Sequence, residues 1–193
     1  VSDQSNNIVH GDMAAGNINK LNIDMRQGTT LNELTLLYAR LRAAEVDEKD
    51  GSGFCEKLNH YLAAPTEGDV RGLEAKLRES GRTDQLYFAM SQKEQAAKMV
   101  MRQQSSRVAQ RIYTILLDEL HTNYMLAVTP VIESGGDRVV VDAAINSILH
   151  NICSMLGENF LEISVKDLLG LLYFLGGNCH IRWDKYADLS SSL

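Results

Sequence analysis

Four side chains of the kinds that ligate metals or act as nucleophile and base stand in the last quarter of the chain: His150, Cys153, Cys179 and His180. His150 and Cys153 are three apart, which on a helix puts both on one face, so four donors of suitable type exist for a zinc ion. Against that, Cys179 and His180 are adjacent, and a dipeptide with no intervening residue is poor at sending two ligands to one ion. Acting as nucleophile and base, the same pair must be in hydrogen-bond contact. After Gly176-Gly177 a clean helix cannot continue, and Cys179, Ile181 and Trp183 alternate with His180, Arg182 and Asp184. In an extended segment neighbours face opposite ways, so the alternation predicts Cys179, Ile181 and Trp183 packed inward, with thiol and imidazole held apart.

A second constellation is basic: Lys93, Lys98, Arg102, Arg107 and Arg111. At about 100° per residue Lys93, Arg107 and Arg111 share one side of a helix and Lys98 and Arg102 another, so the charge wraps. A solvated face with local pairs such as Lys93 beside Glu94 competes here with a nucleic-acid adaptor built on Lys93, Arg107 and Arg111. No Gly-rich loop ending in Gly-Lys-Ser/Thr, no Gly-x-Gly-x-x-Gly, no Gly-x-Ser-x-Gly and no His-Glu-x-x-His occurs. The expectation is a binding or assembly module: not an enzyme, with no cofactor, the zinc-binding sensor or enzyme and the nucleic-acid adaptor standing as alternatives.

The elements that must position these residues follow from the apolar pattern. With 193 residues, 45% hydrophobic and 23% charged, the chain suits one ordinary domain plus an appendage. Its net charge of −6 argues against generic nucleic-acid binding. Three widely spaced cysteines and no charged-then-apolar leader predict a reducing, cytoplasmic setting, and the longest apolar run, Leu168 to Leu175, is too short to span a membrane. The fold class expected is mainly α: a helical bundle with one very long helix, or two in line, preceded by a short Gly/Asn-rich N-terminal β-hairpin arm. The divisions are an arm over 1–29, a helical domain over 30–189 and a frayed tail over 190–193.

Within that domain, Thr30 and Glu33 suggest a capping box before Leu34, Tyr38 and Leu41, and Phe54, Leu58, Tyr61 and Leu62 mark a second helix stopped by Pro65. Thr66 with Asp69 would cap a third, carrying Val70, Leu73 and Leu77 and ending at Gly81. From Thr83 to Thr129 there is neither glycine nor proline, and Leu86, Met90, Ala97, Met101, Val108, Ile112, Ile115 and Leu120 keep a helical rhythm, unbroken or broken near Ser105-Ser106 until Pro130 and Gly135-Gly136. Val141, Ile145, Ile148, Ile152 and Leu156 line another helix that stops at Gly157. Ser164 and Asp167 cap the last, which is apolar nearly all round and therefore either buried or covered by a partner.

Two stretches at opposite ends carry a resemblance. The arm NNIVHGDMAAGNINK resembles the Gly-Asp, spacer, Gly-Asn/Asp, Ile-Asn entry of the C-terminal domains of bacterial ABC-three-component conflict systems. The ending LLYFLGGNCHIRWDKY is similar to the Leu-Tyr-Phe-Leu, Gly-Asn-Cys-His-Ile, basic, Trp ending of the same domains, and KLNHYL with VRGLEAKLRESGRTDQLYFAMSQKEQAAK resembles their helical middle. The resemblance implies a non-enzymatic domain of an anti-phage defence complex that tethers or regulates an effector. Its implied partners are an SMC-type ABC ATPase, a middle component and the effector, together with further copies of itself, with no membrane and no direct nucleic-acid contact. The positions it singles out are Gly11, Asp12, Gly16 and Asn17 in the arm, and Gly177, Asn178, Cys179, His180 and Trp183 at the end. Gly176 departs from the pattern, standing where a polar residue, usually Thr, is expected. The chain reads either as an excised terminal fragment or as a stand-alone form with its active partner encoded separately. The expected working surface is an apolar face around the last helix and Trp183, with the arm adding strands to a neighbouring copy.

Overall fold

The computed structural model describes residues 33–43, 53–63 and 70–185. The expected arm, with Gly11, Asp12, Gly16 and Asn17, and the caps at Thr30 and Thr66 lie outside them. The described residues are mainly helical: α1 (33–43), α2 (Glu56–Leu62), α3 (Leu73–Glu79), α4 (Leu86–Met101), α5 (Arg107–Asn123), α6 (Thr129–Glu133), α7 (Arg138–Met155) and α8 (Val165–Gly177). No strand occurs among them.

Helix α8 is the centre of the bundle, packed along α4 with α3, α5 and α7 around it. It starts with a complete capping box. Ser164 Oγ accepts from the Asp167 amide and Asp167 Oδ2 accepts from the Ser164 amide, so two donors of the first turn are satisfied. From Leu171 to Leu175 every side chain is at most 4% exposed. The all-round apolar run is thus an interior helix, and the apolar face expected to be shown to a partner is covered by the chain itself.

Close approach to α4 comes from small residues. A Cβ on Gly170 would stand 3.0 Å from the Gln92 carbonyl and 3.4 Å from the Ala96 Cβ. The face that α4 buries is accordingly Ala89, Gln92, Ala96 and Val100, not the row of Leu86, Met90, Ala97 and Met101 expected from apolar bulk. Met90 and Met101 are exposed. Small side chains let two backbones approach, and dense packing rewards that fit over sheer hydrophobicity.

The glycine-free stretch does not make one very long helix. It breaks after Met101, and α5 restarts at Arg107 with Ser106 as its cap, the Ser106 Oγ accepting from the Ala109 amide. Gln110, wholly buried, closes that junction by donating to the carbonyls of Gly53, Gln103 and Gln104. Nor does Pro130 stop the helical path. A π turn over Tyr124–Val128 precedes α6, so the proline falls in the first turn of a new helical segment, where its missing N–H is not needed. The path ends at Gly135, with φ +83°. Helix α3 starts at Leu73, after an extended Gly72, so Val70 lies before it and is exposed. Helix α7 buries the expected face, Val141, Ile145, Ile148 and Ile152, with Leu149 added.

Lys76, on the same face of α3 as Leu73 and Leu77, is 1% exposed, and its ammonium donates to the carbonyls of Gly176 (3.0 Å) and Ile181 (2.9 Å). Lys76→Met keeps the volume but leaves both carbonyls without this donor. The substitution is expected to lower stability by about 3 kcal/mol, read as the shift in a urea unfolding midpoint. Lys98→Met, at an exposed pair with Glu94, should change it by less than about 1 kcal/mol.

Candidate functional site: the hook after the last helix

Beyond Gly177 the chain turns back as a hook, residues 178–185, with no strand. The expected in-out alternation fails at its first residue. Cys179 has φ +67°, a left-handed conformation that bends the chain, and its amide and that of His180 close the helix end on the carbonyls of Gly176 and Leu175. Downstream, Ile181, Arg182 and Trp183 are all buried, so three successive residues lie inside. Ile181 and Trp183 are core, as the pattern implied. Cys179 is only partly buried, its thiol donating to the Arg71 carbonyl at 3.5 Å.

The hook is pinned from several sides. Asn178 donates to the Tyr61 carbonyl of α2 at 2.8 Å. The Arg182 carbonyl accepts from Tyr124 of the π turn at 2.7 Å, and its guanidinium pairs with Glu133 of α6 at 2.8 Å. Asp184 accepts from Arg71 at 2.8 Å. The Trp183 ring lies over Gly176, where a Cβ would collide with it, and packs near Tyr124 and Tyr173 at ring-centre distances of 6.0 and 5.6 Å. The departure at Gly176 therefore has a local reason: this indole occupies the space of a side chain. Gly177 lies against the flexible end of Lys93.

His180 does not meet Cys153 or His150 in a metal site. Among the described residues no three His, Cys, Asp or Glu side chains are arranged to hold an ion. His150 is exposed on α7, bonded to its own Asn146 carbonyl. Instead, His180 packs against His60 of α2 and His121 of α5, with Tyr61 among them. Tyr61 donates to Asp118 at 2.6 Å, and burial together with that bond pushes its phenol well above the usual range. Burial holds both His121 and His180 below the ordinary imidazole value, and the neighbouring His60 adds to this. Sequence reading missed His60, His121 and Lys76. Only the lysine left a trace, as a charge on the apolar stripe of α3.

The basic residues form no common track. Arg111 pairs with Glu33, Lys98 with Glu94, and Arg107 turns toward Gln110.

A pocket of about 210 Å³ opens between α7 and α8, with Trp183 and Tyr173 among its lining, Ile145, Leu149 and Leu169 as walls, and the amides of Gln85 and Asn146 at its rim. Asp142, also lining it, is paired with Arg82 and Arg138.

A family model described as C-terminal domain 9 of the ABC-three component (ABC-3C) systems matches residues 72–183. No curated protein and no solved structure matches the chain.

The histidines make stability depend on pH. Their folded values lie below the unfolded 6.5, so the unfolded chain binds more protons below that pH. Their contribution is complete above 6.5 and is lost as pH falls from there through the folded values. Asp84 and Glu94, held low by hydrogen bonds from Arg138 and Lys98, titrate beneath this window. Melting temperature should therefore drop between about pH 7 and 5, with a shallower drop in His180→Gln. Thermal scans across that range provide the check.

Proposed function

The chain belongs to the C-terminal domain 9 family of the ABC-three-component systems, and we propose that it works there as a non-enzymatic docking module, tethering or regulating an effector in an anti-phage defence complex. The partners in this reading are an SMC-type ABC ATPase, a middle component and the effector. The observation that carries it is the pocket between α7 and α8. Its walls are apolar, its aromatic residues come from α8 and the hook, and its rim offers two amides. A cavity of about 210 Å³ suits one apolar side chain of a partner, with the rim amides free to bond that partner's backbone.

The working surface is thereby narrower than an exposed apolar face. Trp183 is 4% exposed and serves as part of a pocket lining, held rigid by Gly176 beneath it. Rigid anchoring lowers the ordering cost of binding. Asp142, the carboxylate at the pocket, is engaged by two arginines, which leaves it a structural and electrostatic role in place of acid or base work. Self-association through the arm over 1–29 completes the reading.

Asn146→Trp, at an exposed rim position, should block the pocket without disturbing the core. Co-purification with the ATPase and middle components is expected to fall at least about tenfold, while Ser91→Trp on α4 leaves it unchanged. Full complex recovery with the Asn146 variant would remove the pocket from the account. Separately, light scattering should show an oligomer that dissociates on deletion of residues 1–28, and a monomer before and after deletion would end the self-association half.

A further inference from the structure

The chain runs on past the hook. Residues 186–193, of sequence YADLSSSL, follow it, outside the described residues and beyond residue 183, where the family match stops. They leave from beside the pocket between α7 and α8. Trp183 is part of the pocket's lining, and two residues on, the Lys185 side chain lies against Gly135, where a Cβ would stand 3.0 Å from the ammonium nitrogen. Gly135 stands just ahead of Asp137, the cap of α7, and α7 contributes Asp142, Ile145, Asn146 and Leu149 to the same pocket.

Reach and chemistry both fit. From the cap of α7 to Ile145 and Asn146 is a rise of about 13 Å at about 1.5 Å per residue. Leu189, four residues beyond Lys185, spans about 13 Å along an extended chain. It is the first aliphatic side chain of the tail larger than alanine. The walls it would meet are Ile145, Leu149 and Leu169, with the rings of Tyr173 and Trp183, and a cavity of about 210 Å³ holds one such side chain. Electrostatics does not oppose the approach, since Asp188 is the tail's only charged side chain and Asp142 at the pocket is paired with Arg82 and Arg138.

We propose that residues 186–193 fold back over the α7–α8 seam and seat Leu189 in the pocket, as a built-in competitor of the partner side chain. The competition rests on the docking role given to the pocket above. A tether this short gives the tail an effective concentration on the order of 1 mM at the site. A weak contact is then enough to keep the cavity filled part of the time, and a partner must bind more tightly to displace it.

Trp183, the chain's one tryptophan, reports on the pocket directly. Acrylamide quenching of its fluorescence should rise at least about twofold when residues 186–193 are deleted. Leu189→Asp in the full chain should match the deletion, and Ser191→Ala should match the wild type. A peptide of residues 186–193, added to the deleted chain, should restore protection saturably. Circular dichroism verifies that each variant is folded. Equal quenching of the wild type and the folded deletion variant overturns the proposal, as does wild-type quenching in Leu189→Asp. Recovery of the ATPase and middle components should rise at least about threefold on deletion, and unchanged recovery overturns the competition. Quenching involves no partner, so failure of the docking reading shows separately, as recovery indifferent to Asn146→Trp.

Discussion

The Lys76 ammonium, almost wholly buried, donates to the carbonyls of Gly176 and Ile181, and the course of the chain after α8 follows from that contact. A helix end leaves carbonyls without intrahelical partners, and burying them dry is costly. Here one cation answers a carbonyl at the helix end and another in the hook, tying both to α3. An ammonium taken out of water needs such acceptors as much as they need it. The result is a short loop tied to α3, with Trp183 in the core and His180 against α2.

Around that anchor the bundle is built by close approach. Gly170 and Ala96 let α8 lie against α4, which leaves larger side chains such as Met90, Tyr87 and Met101 on the outside. Gly176 does the same for the Trp183 indole. Because α8 is interior from Gly170 to Gly176, its apolar run is covered by the chain itself, and a pocket opens at the α7–α8 seam. Ion pairs frame the seam: Arg82 reaches Asp142, and Arg138 bridges Asp142 and Asp84, so the loop before α4 is fastened to α7.

The histidine group stands on the same anchor. Only because the hook turns at Cys179 does His180 come back against α2 and α5, and burial then favours the neutral ring. A neutral imidazole in such a setting is a poor place for a proton. Neighbouring charges of both signs, Asp118 and Lys76, lie within electrostatic reach of the cluster, so its behaviour is a property of the assembled fold and of no single helix.

How much of this was legible in the chain divides along a physical line. The mainly helical class, the order of helices, the Ser164–Asp167 cap, the buried face of α7, the stop at Gly81 and the C-terminal resemblance were all readable, because capping, periodicity and motif are local in sequence. The interior placement of Ile181 and Trp183 was readable too, though for the wrong reason, since no strand alternation puts them there. The break between α4 and α5 was one of two readings left open, and Gln110 decided it by bonding carbonyls on both the turn and a distant loop. The buried face of α4, the passage through Pro130, the grouping of His60, His121 and His180, and the partners of Lys76 depend on residues dozens of positions apart. Local pattern determined which segments become helices and where most of them start and stop. Tertiary structure alone decided which faces meet and which polar groups share one place, because burial and hydrogen-bond satisfaction are settled between elements.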